Sequence, residues 1–213
     1  FSVKAGVFPL YTWLPAAYHT PPAAVSSVFG GLLTKLGLYA IFRMFTLVFP
    51  LEIFNFGWIE VVAMLTIFSG AVGAYVQKDM IKAFSYLIIC HIGFMLAGFG
   101  INTEMAIMGA VAYLIHDIIV KANLFLIGGI SHRITGSTQL KNMGGLMKSY
   151  PKLAILFAIP LFSLIGIPPL LGFWPKISLF GSAFSDNQIA LLIMLIFGSF
   201  MTLVVVAKIW LEF

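Results

Sequence analysis

Hydrophobic residues run along this chain in long stretches, separated by short clusters of polar, proline and glycine positions. Seven apolar segments can be drawn: A, 1–18; B, 22–49; C, 58–77; D, 80–101; E, 104–131; F, 152–183; and G, 188–213. A helix rises about 1.5 Å per residue, so a hydrocarbon core of ~30 Å needs roughly 20 helical residues. Segments B to G reach that length, and A reads as the tail of a longer helix. Barrel strands would alternate apolar and polar positions over about ten residues. These segments are apolar all round and far longer. The pattern predicts an all-α membrane protein, a polytopic transmembrane helix bundle.

The breaks carry the next layer of information. The C–D turn holds Lys78 and Lys82, and the E–F loop holds Arg133, Lys141, Lys148 and Lys152. The B–C, D–E and F–G connections hold Glu52, Glu104 and Asp186 and no basic residue. Strict alternation places both basic loops on one side, with the A–B turn beside them. The positive-inside rule assigns that side to the cytoplasm. Segment F spans 32 residues and is interrupted by Gly166-Ile167-Pro168-Pro169. Pro168 and Pro169 remove two backbone donors and disfavour helix at the preceding residue. A broken helix at membrane depth is tolerated where it is buried in protein or lines a wet cavity. Transporter sites use such breaks, and a simple proline kink is the structural alternative.

Composition sharpens this reading. Of 213 residues, 61% are hydrophobic and 9% charged, with a mean hydropathy of +1.07. Soluble domains carry about 25% charged residues, so lipid must serve as solvent for much of this surface. The net charge is +5, but the cations are scattered through apolar segments, which argues against nucleic acid as a partner. The one cysteine, Cys90, excludes a disulfide within the chain, and no Cys/His spacing suits a metal. Phe1 opens inside an apolar pattern and Phe213 closes inside another, so the expectation is an internal stretch of a longer membrane subunit.

Against this background four lysines stand out inside apolar segments: Lys4, Lys35, Lys121 and Lys176. Each costs about 2.5–3.5 kcal/mol at a helix centre on insertion scales. The four together cost on the order of 10 kcal/mol, comparable to the stability of a whole domain. Lys35 lies 13 residues into B, near the midplane, and Lys4 lies about as far from the end of A. Lys176 follows Pro169 by seven residues. Lys121 is nearer the cytoplasmic end of E, where snorkelling is the competing explanation. Burial penalises the charged form of lysine, and a nearby acid restores it, so such a group can be switched by a moving partner.

His91 lies in the apolar run Ile89-Cys90-His91-Ile92-Gly93. A lone histidine there is more often a hydrogen-bonded core residue, but four buried lysines reverse that weighting. Imidazole titrates near neutral pH and can pass a proton between its two nitrogens. On E, Tyr113, Asp117 and Lys121 are spaced by four and share a helix face, with His116 beside them. Asp117 and Lys121 read either as a structural ion pair or as part of a relay fed by His116. His19, His132 and Arg133 sit at segment ends and read as solvated caps or headgroup contacts.

Four stretches go further. They are Lys4-Ala5-Gly6-Val7-Phe8-Pro9-Leu10-Tyr11-Thr12-Trp13-Leu14-Pro15; Leu33-Thr34-Lys35-Leu36-Gly37-Leu38-Tyr39; Ser85-Tyr86 followed by His91-Ile92-Gly93-Phe94; and Gly172-Phe173-Trp174-Pro175-Lys176. In order and spacing they resemble the proton-pumping antiporter-like subunits of respiratory complex I, membrane-bound hydrogenases and Mrp-type sodium/proton antiporters. Phe8-Pro9-Leu10-Tyr11 and Ala40-Ile41-Phe42-Arg43-Met44-Phe45-Thr46-Leu47 look most like the D-type subunits of the Mrp antiporters. His116-Asp117 departs from that pattern, where a second histidine is common.

The resemblance implies a subunit of about fourteen helices built from two inverted five-helix repeats. Residues 1–49 would hold the last two helices of the first repeat and 58–213 the five of the second, with A and F as paired broken helices. By position Lys4 is similar to the pump lysine whose partner is a glutamate on an earlier helix. Lys35 and His91 would form the central relay, His116 and Lys121 would extend it, and Lys176 would be the terminal group. The implied role is a transport subunit of a multisubunit cation/proton antiporter in the plasma membrane. Its partners would be other membrane subunits, lipid, protons and sodium, and it needs no cofactor. The alternative is a non-catalytic membrane-arm subunit of a redox-driven pump, with the same proton machinery driven from elsewhere. An inert scaffold is the third reading.

Overall fold

The computed structural model describes residues 1–47 and 57–213, and Glu52 lies outside the described residues. The first helices are short: α1, Ser2–Ala5; α2, Leu14–His19; and α3, Ala23–Val28. A π turn at Phe29–Leu33 joins α3 to α4, Thr34–Leu47, so that Ala23–Leu47 forms one span. Then come α5, Gly57–Val76; α6, Met80–Ile101; and α7, Glu104–Thr135. After a short 3₁₀ turn follow α8, Leu146–Ser149; α9, Pro151–Ile165; α10, Phe173–Ser185; and α11, Ile189–Glu212. Among the described residues, Ala23–Leu47, α5, α6, α7 and α11 are long and apolar enough to cross a bilayer. The expected all-α transmembrane bundle is what the chain forms.

Local chemistry sets the helix ends. Asp79 caps α6 by accepting from the Lys82 N–H at 3.0 Å, and Thr103 caps α7 by accepting from the Ala106 N–H at 3.3 Å. Gly136, at φ 74°, ends α7 in the left-handed conformation that glycine adopts without steric cost. Segment E therefore runs to Thr135, four residues past its predicted end. α6 is the hub. Nearly all of its side chains are buried, and it packs against α5, α7, α2, α10, α11 and α4. Close approach to α5 needs glycine: a Cβ at Gly93 would lie 2.8 Å from the Ile67 nitrogen and 2.9 Å from the Ala63 oxygen. α11, by contrast, presents Ile193, Ile196 and Phe200 outward, the pattern of a helix whose outer face meets lipid.

Segments A and F are both broken, and broken alike. Gly6 and Gly166 have φ of 76° and 91°. Each is followed two and three residues on by a cis peptide bond, Phe8–Pro9 and Pro168–Pro169. The Val7 N–H bonds back to the Ser2 oxygen and the Ile167 N–H to the Phe162 oxygen, both at 3.2 Å. The Leu10 and Leu170 N–H groups then bond to the Val7 and Ile167 oxygens at 2.7 and 2.9 Å. The stretches Gly6–Pro15 and Gly166–Pro175 are thus one motif used twice, 160 positions apart. α9 alone, at 15 residues, covers only about 22 Å of a ~30 Å core, so α9 and α10 share the crossing. Segment A is not a single helix: the Gly6 turn ends α1 and eight residues of turn precede α2.

The loops meet as alternation required. The Met80 N–H bonds to the Thr138 oxygen and the Leu140 N–H to the Lys78 oxygen, each at 3.0 Å. His19 Nε2 lies 3.3 Å from Asp79 Oδ2, and the Thr138 hydroxyl donates to the same oxygen. The A–B turn, C–D turn and E–F loop therefore share the basic face. On the opposite face Gln188 Nε2 donates to Glu60 at 2.7 Å and to Asp186 at 2.9 Å.

Candidate functional site

The centre of the bundle holds an ion pair that crosses three helices. Lys35 of α4 places Nζ 2.7 Å from Asp117 Oδ2 on α7, and His91 of α6 places Nδ1 2.8 Å from Asp117 Oδ1. The three side chains are 2% exposed or less. Asp117 is the one buried carboxylate among the described residues. The π turn takes part, because Lys35 Nζ also donates to the Gly30 oxygen at 2.9 Å. A π turn disturbs the regular helical bonding pattern, and such turns recur at functional sites.

Small residues allow this meeting. A Cβ added at Gly31 would lie 3.2 Å from the Ile118 oxygen and 3.4 Å from the Ala122 Cβ. The π turn thus packs backbone to backbone on α7, one residue past Asp117. The sequence reading gave Asp117 to Lys121 as its possible ion-pair partner. That is corrected: the structure pairs Asp117 with Lys35 and His91. Lys121 is fully buried on the same helix and its ammonium has no hydrogen-bond partner. Snorkelling does not describe it either, since it is 0% exposed.

A second group of side chains leads from α7 to the break. The Tyr113 ring lies 5.5 Å from that of His91 and 5.8 Å from that of His116. His116 Nε2 is 2.8 Å from the Ser163 Oγ of α9. Lys176 of α10 reaches back across the break and donates to the Leu164 oxygen at 3.0 Å and the Ile165 oxygen at 2.8 Å. These are the final carbonyls of α9, left without helical partners where Gly166 and the prolines stop the chain. A cation at a helix C-terminus is also favoured by the dipole, typically by about 0.3–1 kcal/mol. Lys176 stands 5.7 Å from the Phe94 ring centre, and Phe94 stacks on Tyr113.

Five predicted residues, Lys35, His91, His116, Lys121 and Lys176, are therefore buried in the bundle interior together with Asp117. Lys4 is not brought among them: it is exposed at the end of α1. Pro168 and Pro169 are exposed too. They line an apolar groove with Trp210 rather than a polar cavity. What the break offers the interior is its carbonyls. Sequence reasoning missed Ser163, whose signal was a small polar residue three positions before Gly166 in an apolar helix. It also missed the Gly30 carbonyl, for which the sequence carries no signal.

The family described as NADH:quinone oxidoreductase/Mrp antiporter, transmembrane, matches residues 1–202. The chain belongs to this family. It is 50% identical over 200 residues to the D component of the Na(+)/H(+) antiporter of Alkalihalophilus pseudofirmus, a match covering 93% of this chain and 41% of that protein. The chain thus spans less than half the length of that relative. Among solved structures, a chain of the Mrp complex from Dietzia sp. DQ12-45-1b superposes with a TM-score of 0.93 at 33% identity, covering 98% of this chain and 39% of that one. A chain of respiratory complex I from Thermus thermophilus superposes at 0.91 with 24% identity, covering 99% and 45%, which shows a shared fold. Within that fold this member of the family carries both the buried charged centre and the broken-helix lysine.

Proposed function

We propose that this chain is the proton-conducting part of a D-type subunit in a multisubunit sodium/proton antiporter of the plasma membrane, working beside other membrane subunits. The observation that carries the reading is the buried carboxylate of Asp117 held between Lys35 and His91. Three buried lysines, Lys35, Lys121 and Lys176, face one buried carboxylate among the described residues. Charging all of them leaves two uncompensated cations, and each unpaired buried ion costs several kcal/mol. The centre is therefore built for a variable number of protons. A proton placed on one group raises the cost of charge on the next through the low-dielectric interior. Protons would pass between Lys35 and His91 by way of the shared carboxylate, along Tyr113, His116 and Lys121, and out at Lys176.

Residues 1–49 would close a first inverted repeat and 58–213 form the second. The duplicated motif at Gly6–Pro15 and Gly166–Pro175 supports that division. Lys4 keeps its place in the proposal as the group facing a glutamate of an earlier helix, and its exposure leaves it available to such a partner.

A redox-driven pump would carry the same machinery. The 50% identity to an antiporter subunit, against 24% to the complex I chain, favours the antiporter. Sodium-loaded inverted vesicles bearing the full complex test this directly. Diluted into sodium-free medium without an electron donor, they are expected to acidify inside, read by quenching of an acid-trapped dye. A redox pump would give no signal until donor and acceptor were supplied.

Lys121 gives a second prediction. Its ammonium is buried without a partner, so Lys121→Met keeps most of the volume and removes the unpaired charge. Replacing buried ionic groups by apolar ones often stabilises by about 1–4 kcal/mol. The variant complex is expected to unfold at a higher temperature in detergent while its vesicles transport several-fold more slowly. A lysine kept only for structure would show the opposite pair of changes.

A further inference from the structure

Ser85 of α6, Ser131 of α7, Ser182 of α10 and Thr202 of α11 turn their hydroxyls back onto the carbonyl four residues earlier, at 2.9, 2.9, 2.8 and 2.8 Å. That bond satisfies a polar group in an apolar helix without help from a neighbour. Ser163 of α9 behaves differently. Its hydroxyl meets Nε2 of His116, on α7, at 2.8 Å. Both residues are buried, Ser163 at 6% exposure and His116 at 4%.

The backbone of the break fixes where Ser163 stands. The Gly166 N–H donates to the Ser163 oxygen at 3.1 Å, within the turn that ends α9. Gly172, at the start of α10, packs on that same oxygen and on the imidazole. A Cβ there would run into the Ser163 oxygen and lie 2.9 Å from both Cε1 and Nε2 of His116. The imidazole is therefore in contact with both sides of the break.

Nδ1 of His116 is buried and has no hydrogen-bond partner among the described residues, which leaves Ser163 as the partner that holds this ring. A ring that changes tautomer presents Nε2 by turns as a donor and as an acceptor. A carbonyl or an ammonium answers only one of these. A hydroxyl answers both, because it accepts from an Nε2–H and donates to a bare Nε2. A cavity of about 290 Å³ lined by His116, Ser163 and Asn123 leaves space for the hydroxyl proton to turn.

We propose that Ser163 is a positioning residue of the proton path: its hydroxyl, acceptor and donor in turn, holds His116 at the break in either tautomer. This rests on the proton-transport reading above and adds a residue outside the predicted relay. A proton taken up at one ring nitrogen and released from the other leaves the imidazole neutral. Ser163 keeps its own proton throughout and only turns it. The role belongs to the hydroxyl and not to the volume of the side chain, and this sets the test.

Sodium-driven proton transport is measured in inverted vesicles bearing the full complex, per assembled complex, with assembly followed by pull-down and melting in detergent. Ser163→Ala is expected to assemble, to melt close to wild type and to transport several-fold more slowly. Ser163→Thr, which keeps a hydroxyl, is expected to restore most of the rate. Ser163→Cys keeps the volume but is a weak donor and acceptor, so it is expected to stay slow. Should Ser163→Ala fail to assemble, the comparison of Thr with Cys decides alone. Wild-type transport by Ser163→Ala, or by Ser163→Cys, overturns the proposal, as does a Thr variant no faster than Cys. His116→Gln is measured alongside, alone and with Ser163→Ala. No further slowing in the double variant is expected. A fall by the same factor that Ser163→Ala causes alone would mean that the serine does not act through His116. If His116→Gln is slow while Ser163→Ala is not, the positioning role fails and the proton-transport reading stands. If His116→Gln itself transports at the wild-type rate, the path through His116 fails and the role of Ser163 falls with it.

Discussion

Asp117→Asn is expected to lower sodium-driven proton transport below about a tenth of the wild-type rate, a barrier increase of at least ~1.4 kcal/mol. The carboxylate meets Lys35 through one oxygen and His91 through the other. Asparagine offers one acceptor and one donor in the same shape. Lysine ammonium only donates, so the amide oxygen must turn to Lys35 and the NH₂ to His91 Nδ1. That fixes His91 in the tautomer with its proton on Nε2 and removes the shared anion through which the proposed path hands a proton on. It also leaves the Lys35 ammonium buried without a counter-charge, which typically costs about 3–5 kcal/mol when a buried pair is broken from one side. The complex should accordingly melt at a lower temperature. Adding Lys35→Ala to Asp117→Asn removes the stranded charge, so the double variant should melt above the Asp117→Asn single while staying inactive. Equal melting temperatures for the two variants would mean that the pair is not coupled as the distances indicate.

Depth within an apolar segment was enough to single out Lys35, His91 and Lys176, because a polar group there is costly wherever the helices turn out to pack. The partner of Asp117 was not legible in the same way. Spacing by four favoured Lys121 on the same helix, whereas the partner comes from another helix. What decides it is how closely α7 meets the π turn at Phe29–Leu33, a contact set by Gly30 and Gly31. Glycines in a membrane segment say that something packs closely; they do not say what. The break in F was legible from Gly166, Pro168 and Pro169, but its chemistry was not. The prolines face an apolar groove, and the useful product of the break is a pair of freed carbonyls that Lys176 binds from twelve and eleven residues away. Lys4 shows the reverse case: its position in the motif matched, yet within this chain it is exposed at the end of α1, apart from the buried groups.

The duplicated turn also explains an asymmetry between the two breaks. At the position of Lys176 in the second motif the first has Ala16, and at the position of Lys4 the second has Leu164. The backbone device is shared, while the lysine sits on opposite sides of the break. In the second copy it belongs to the following helix and reaches back to bind the Leu164 and Ile165 oxygens. In the first it lies on the last turn of the preceding one.

The central claim is that Lys35 carries protons and is more than a structural charge at mid-bundle. Sodium-driven proton transport in inverted vesicles containing the full complex, with Lys35→Ala beside wild type and assembly checked by pull-down, measures it most directly. The account predicts an assembled complex whose transport is abolished. An assembled Lys35→Ala complex that transports at close to the wild-type rate would contradict it.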